Sequence, residues 1–256
     1  MKPIRVINLI AFLFVLGLNG WAGSVGLNGN TVGSVSDDIL SRFTPAGYVF
    51  AIWGLIYIAL GCFVVYGLLK SQRENTWIDR VGIWFALSCL FNMLWLVVWL
   101  MEIFWVSEVF MLLLLGSLIM LYLKLNAQSS FKLLPRKDFW LVAAPFSLYL
   151  GWISVATIAN TSVLLYSLGV TRMGVTPEFW AIFMLLVAYI LTIAMIELRH
   201  DWVFTFVVIW AAIGIGVKNS PSAVLSIATI IVAVGLTAAL FYDRKNRPFS
   251  IKIPHA

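Results

Sequence analysis

The chain has 256 residues, 62% of them apolar and 11% charged, with a formal net charge of +6. A soluble domain of this size carries about 25% charged residues, so the apolar excess must face lipid and a water-soluble fold is excluded. The basic residues sit in short loops between apolar runs and form no patch, which excludes nucleic acid as a partner and makes them topology signals.

Eight apolar segments are long enough to cross about 30 Å of hydrocarbon as helices, predicting an all-α polytopic bundle. The first, Ile4–Val25, starts like a signal peptide with Lys2 and Arg5. Its run is long for a signal core and contains Asn19 and Trp21, so retention is expected. Gly20, Gly23 and Gly26 in this region would permit close helix contact, and with it a homodimer. The second span is Pro45–Leu69, the third Val81–Met101, the fourth Trp105–Leu125 and the fifth Phe139–Asn160. The sixth is Pro177–Leu198, the seventh Trp202–Val217 and the eighth Pro221–Tyr242. Pro45, Pro177 and Pro221 are predicted in first turns, where a missing N–H costs nothing, with Thr44, Thr176 and Ser220 as N-caps. The seventh span is short, contains Gly214 and Gly216 and ends at Lys218. Either it crosses with help from a thinned bilayer or it is re-entrant.

With eight spans, 14 of the 17 Lys and Arg residues fall on the side of the two termini, and only Arg42, Arg172 and Lys218 on the other. The positive-inside rule then places both termini in the cytoplasm, with the plasma (inner) membrane as the expected location.

Cys62 and Cys89 lie within apolar runs and read as packed thiols. His200 and His255 lie at a span edge and in the tail, and no grouping of His, Cys, Asp or Glu has metal-ligand spacing. No nucleophile–base pair stands out, so neither a required cofactor nor an enzyme activity is expected. Glu102 and Glu108 fall near the outer ends of spans, which disfavours ion-coupled transport.

Asn19, Asn92, Ser154, Thr157 and Asn160 lie mid-span, where polar groups face a bundle interior or a cavity. Trp53 and Tyr57 are four apart and share a helix face; Asn92, Trp95 and Trp99 follow at steps of three and four. Tyr149, Trp152, Ala156 and Asn160 form another stripe. Such stripes suit a cavity for a flat apolar ligand, and they equally suit a tightly packed aromatic core.

These stripes carry a resemblance. Tyr149, Trp152, Ala156-Thr157 and Asn160 in the fifth span resemble the fifth-helix pattern of the tryptophan-rich sensory protein family, also called the translocator protein or TspO/MBR family. The stretch Phe43-Thr44-Pro45 through Tyr48, Phe50, Trp53, Tyr57 and Gly61 is similar to that family's segment leading into helix two. Asn92-Met-Leu-Trp95 resembles its Asn-x-x-Trp. The resemblance covers residues 1–168, and family members usually have five helices, so residues 169–256 read as three additional spans and a basic tail in a longer, eight-span branch. The first loop, Leu27–Thr44, lacks the tryptophans that compact members carry there. What the resemblance implies is a pocket within the bundle for a tetrapyrrole, a sterol or another planar hydrophobic molecule. Carried over by position, pocket roles fall on Trp53, Tyr57, Asn92, Trp95, Tyr149, Trp152, Ala156 and, at the helix end, Asn160. Trp53 and Trp152 would stack on the ligand, Asn92 would orient it and Ala156 would leave it room. A tetrapyrrole would be held without axial histidine ligation. The expected function is a sensor, receptor or carrier in the lipid bilayer, the alternative a facilitative transporter of an unrelated solute.

Overall fold

The structure, a computed structural model, describes residues 2–27, 29–38, 41–126, 134–170 and 175–246. The loop charges Lys132, Arg172, Arg247 and Lys252, and with them His255, lie outside the described residues. Helix α1 spans Pro3–Val25 and a short α2 spans Val32–Asp38. A 3₁₀ turn, Gly47–Ala51, leads into α3, Ile52–Leu68. Helices α4, Thr76–Leu100, and α5, Phe104–Asn126, form an antiparallel pair. A single turn α6, Arg136–Asp138, and a π-helical segment, Phe139–Ala143, run into α7, Ala144–Ser167. Then follow α8, Pro177–Arg199; α9, Trp202–Lys218; and α10, Ala223–Asn246.

Seven helices among the described residues are long and apolar enough to cross a membrane, and the chain is an integral membrane protein. At 17 residues α9 is shorter, about 25 Å of rise. Its two ends nevertheless reach opposite faces of the bundle. Asp201, at its start, bonds to Ser147 and Tyr122 near the face that carries Lys2 and Asn246, the terminal face. Lys218, at its end, bonds to Asp37 and Thr44 on the opposite face. The seventh span therefore runs through the bundle from face to face.

Helix α7 is the axis. It packs against α3 and α5 on one side and α8 and α9 on the other. In its most apolar stretch 78% of residues are buried, against 22–44% in the other six long spans. The reason is in its side chains: Ser147, Asn160 and Ser162 are buried and bond to groups on other segments, which lipid could not supply. Gly151 lets α9 approach: a Cβ there would lie 3.1 Å from Val207 Cβ and 3.2 Å from the Phe204 carbonyl. Small residues at such crossings are how membrane helices gain van der Waals contact without a hydrophobic driving force.

The terminal face is held by buried charged and polar side chains, among them Arg5, which read in the sequence as a topology charge. Arg5 is buried and bonds Asp79 Oδ1 at 2.9 Å, the Gly67 carbonyl at 3.1 Å and the Gln72 carbonyl at 2.8 Å. It thus ties α1 to the α3–α4 turn. Asp138 accepts from Tyr66 Oη at 3.0 Å and Asn75 Nδ2 at 2.7 Å, fixing the start of α7. Asp201 caps α9 by accepting from Phe204 N at 3.0 Å, and also takes Tyr122 Oη at 2.8 Å and Ser147 Oγ at 2.5 and 2.6 Å.

Several local expectations are corrected. The third span begins earlier, at Thr76, with Asn75 accepting from Trp77 N as its cap, and it breaks at Gly82 (φ 53°, ψ −142°). That left-handed backbone suits glycine, and Asn8 Nδ2 donates to the Gly82 carbonyl. Thr176 does cap α8, by accepting from Phe179 N, with Pro177 in the first turn. Thr44 does not cap the second span: its hydroxyl donates to the Ser41 carbonyl, and the turn starts at Gly47, with Ala46 N donating to the Gly214 carbonyl. Ser220 and Pro221 lie in the turn before α10, which starts at Ala223. Gly26 is not part of a packing stripe. It closes α1 at φ 73°, where a Cβ would meet the Asn30 carbonyl at 2.9 Å.

Gly151→Val should lower the thermal midpoint in detergent by overpacking the α7–α9 crossing, at a cost of roughly 1–3 kcal/mol. A dye-monitored melt checks it, and an unchanged midpoint would contradict this crossing. Burial pushes the Asp201 carboxyl above the ordinary aspartate range, against the pull of its hydrogen-bond donors. The folded chain then holds this proton more tightly than the unfolded one, so the contribution to stability is full in acid and is lost as pH rises from the ordinary range through the raised value. Melts across pH should show that decline in wild type and a flatter profile in Asp201→Asn.

Candidate functional site

The aromatic stripes of α3, α4 and α7 meet in one cluster. Trp53 stacks on Tyr57, with centroids 5.6 Å apart, and on Trp95 at 6.3 Å. Trp95 in turn stacks on Trp99 at 5.9 Å. The result is a column of four roughly parallel rings, two from α3 and two from α4. From α7, Tyr149 and Trp152 meet Trp53 edge-on at 6.0 and 6.2 Å. Phe50, in the 3₁₀ turn, meets Trp152 edge-on at 5.9 Å. Offset-stacked and edge-to-face pairs are the favoured aromatic geometries, each contributing about 0.5–1.5 kcal/mol beyond area burial.

Polar groups sit at both ends of this column. At the inner end Asn92 Oδ1 accepts from Asn19 Nδ2 at 2.9 Å and, at a long 3.5 Å, from Tyr57 Oη. Asn92 Nδ2 and Trp152 Nε1 are buried and have no hydrogen-bond partner among the described residues. Toward the opposite face, Asn160 is fully engaged. Its Oδ1 accepts from Trp95 Nε1 at 3.1 Å, and its Nδ2 donates to Glu108 Oε2 at 2.6 Å and Ser107 Oγ at 3.2 Å. Glu108 Oε1 also accepts from Thr161 Oγ1 at 2.6 Å. Although near a span end, as its position in the sequence implied, Glu108 is buried by the packing of α5 on α7.

Between the column and α7 lies a small apolar cavity of about 40 Å³, touched by Trp53, Trp95, Trp99, Trp152, Ala156 and Asn160. That is room for a water or two, far below the roughly 300–1,000 Å³ of a drug-sized ligand site. Of the eight sequence-assigned residues, five border this cavity. Tyr57, Asn92 and Tyr149 lie behind it, packed around the base of the column.

The cavity has a cover that the sequence did not reveal. Thr44, Pro45 and Phe50 line it from the segment preceding α3, and this segment is fastened to the far end of α9. Ala46 N donates to the Gly214 carbonyl at 3.1 Å, Trp210 Nε1 to the Val49 carbonyl at 3.3 Å and Asn219 Nδ2 to the Arg42 carbonyl at 2.9 Å. Lys218 Nζ donates to Thr44 Oγ1 at 3.0 Å and pairs with Asp37 at 2.6 Å. Gly214 leaves no room for a Cβ against Val49 and Pro45. The one sequence signal for this fastening was Gly214 near the end of a short span; its companion Gly216 packs on Thr229 of α10 instead.

Asn160→Ala should strand Trp95 Nε1 and deprive the buried Glu108 of a donor. Loss of such contacts in membrane proteins costs about 1–2 kcal/mol. A lower thermal midpoint than that of Thr161→Val, which removes only one hydroxyl, is the expected result; equal midpoints would contradict it.

Comparison with curated proteins and with solved structures finds no match. A family model described as TSPO-like protein matches residues 5–242. That match takes in the α8–α10 segment as well as the first five spans, and the chain belongs to the TSPO-like protein family.

Proposed function

We propose that this chain binds a planar hydrophobic molecule, tetrapyrrole- or sterol-like, between α3, α4 and α7, and acts as a sensor, receptor or carrier without catalysing a reaction. The observation that carries this reading is the apolar hollow beside the ring column, closed by a separately fastened cover. Trp152 Nε1, buried with no acceptor among the described residues, is a donor that a ligand oxygen would satisfy, relieving a cost of about 1–3 kcal/mol.

The hollow at about 40 Å³ is a closed form. Entry of a ligand requires the Thr44–Phe50 cover to move away and Trp152 to turn from its edge-on contact with Trp53. A tetrapyrrole would be held by ring stacking and shape. His200 sits at the terminal face, paired with Asp243 at 2.8 Å, far along the chain from the ring column. The loop-charge bias favours a cytoplasmic terminal face in the plasma (inner) membrane, with the cavity mouth on the outer side. Gly20 and Gly23, which have nothing within 4 Å on their open side, suit a homodimer contact through α1. The alternative, facilitated passage of an unrelated solute, draws on the buried Glu108–Asn160 pair at the cavity edge.

Purified protein titrated with protoporphyrin IX should show saturable tryptophan quenching at micromolar or lower concentration. Trp152→Phe and Ala156→Leu should each weaken it roughly threefold to tenfold, the scale of one ring contact. Linear quenching that neither substitution changes would mean that the rings are packing alone, and the solute-passage reading would take the lead.

A further inference from the structure

Where α8–α10 meet the first five spans, two grooves open sideways toward the lipid, one on each flank of α7. The groove between α3 and α9 has a volume of about 390 Å³ and no charged side chain in its lining. The groove between α5 and α8 has a volume of about 440 Å³ and differs at one end. Its walls are Leu115 and Ile119 of α5 and Val187 and Leu191 of α8, over a floor of Leu150 and Ile158. Ser154 and Thr157 also lie in the floor, but their hydroxyls donate to the Leu150 and Ile153 carbonyls at 2.8 and 2.7 Å and make no demand on an occupant. At the terminal-face end the lining includes Arg199.

Among the described residues Arg199 has neither an ion pair nor a side-chain hydrogen bond. Of the nearby carboxylates, Asp201 is engaged with Tyr122, Ser147 and Phe204 N, and Asp243 with His200. From Val187 to Arg199 the α8 wall rises roughly 18 Å, close to half of a hydrocarbon core of about 30 Å. The groove is thus one leaflet deep, apolar along its length and cationic where a headgroup would lie.

We propose that this groove is a binding site for an anionic phospholipid, with one acyl chain between α5 and α8 and the phosphate on Arg199. The site is separate from the aromatic cavity and stands whether or not that cavity binds a ligand. The occupant joins the two halves of the bundle at the place where α5 and α8 stand apart.

Native mass spectrometry of delipidated protein, titrated with phosphatidylglycerol or phosphatidylcholine of identical chains, tests this. The first phosphatidylglycerol should bind about fivefold tighter than phosphatidylcholine, the gain one basic side chain near a phosphate supplies. Arg199→Gln should abolish the preference, and Ala194→Phe, which fills the groove from α8, should weaken phosphatidylglycerol binding severalfold. Lys70→Gln/Arg73→Gln, on a separate basic surface of the terminal face, should leave the preference intact. Equal affinity for the two lipids, a preference that survives Arg199→Gln, or one that follows Lys70 and Arg73 would overturn the proposal. Porphyrin quenching measured on Arg199→Gln should match wild type, which separates this site from the aromatic one.

Discussion

Hydrocarbon offers no hydrogen bonds, so a helix that carries Ser147, Asn160 and Ser162, whose partners lie on other segments, can cross a bilayer only if protein surrounds it. That constraint makes α7 the axis and gives α8–α10 their place. With helices on one flank alone, the face bearing Gly151 and Ser147 would lie against lipid. With α9 on the second flank, Gly151 becomes a crossing point and Ser147 a donor to the buried Asp201 carboxylate. The three C-terminal spans are thus part of what makes α7 stable in the membrane, consistent with a family match that runs through them.

The same packing shapes the aromatic cluster. Four rings in a column, with two more edge-on, bury one another and leave little free volume. Packing and binding are not opposed here. Flat rings held at stacking distance are a surface into which another flat ring can be inserted, if the enclosing segment yields. The polar ends set limits on how far the column can shift. Asn160 and Glu108 fix Trp95 from one end, while Asn92 and Asn19 hold the other. Movement is left to Phe50 and the segment before it, which is secured mainly by a handful of hydrogen bonds at one end of α9.

Much of the fold was legible because hydropathy over about 20 residues is a strong signal. The eight spans, the inward placement of Asn19, Asn92 and Asn160, and the shared faces of Trp53 with Tyr57 and of Trp95 with Trp99 all follow from it and from helical spacing. Spacing cannot say how helices are rotated against one another. The Trp53–Trp95 stack, the Asn160–Glu108 bond and the cover over the cavity all depend on that rotation. Thr44 and Ser220 misled because a capping residue was read locally: the Thr44 hydroxyl donates to the Ser41 carbonyl instead, and α10 starts only at Ala223. Arg5 read only as a topology charge until the fold brought it to Asp79 within a ring of carbonyls.

The fastening of the Thr44–Phe50 segment to α9 also sets an order of events during biosynthesis. Trp210 follows its partner Val49 by 161 residues. At a synthesis rate of about 5–20 residues per second, α3 and its leading turn precede their anchor by on the order of 10–30 s. In the later part of that interval, once α7 has been made, the rings of α3, α4 and α7 are all present while their cover is still unsecured. The nascent protein therefore passes through a stage in which the aromatic hollow is more accessible than it will be in the finished chain, and a ligand present in the membrane could be enclosed as the protein is made.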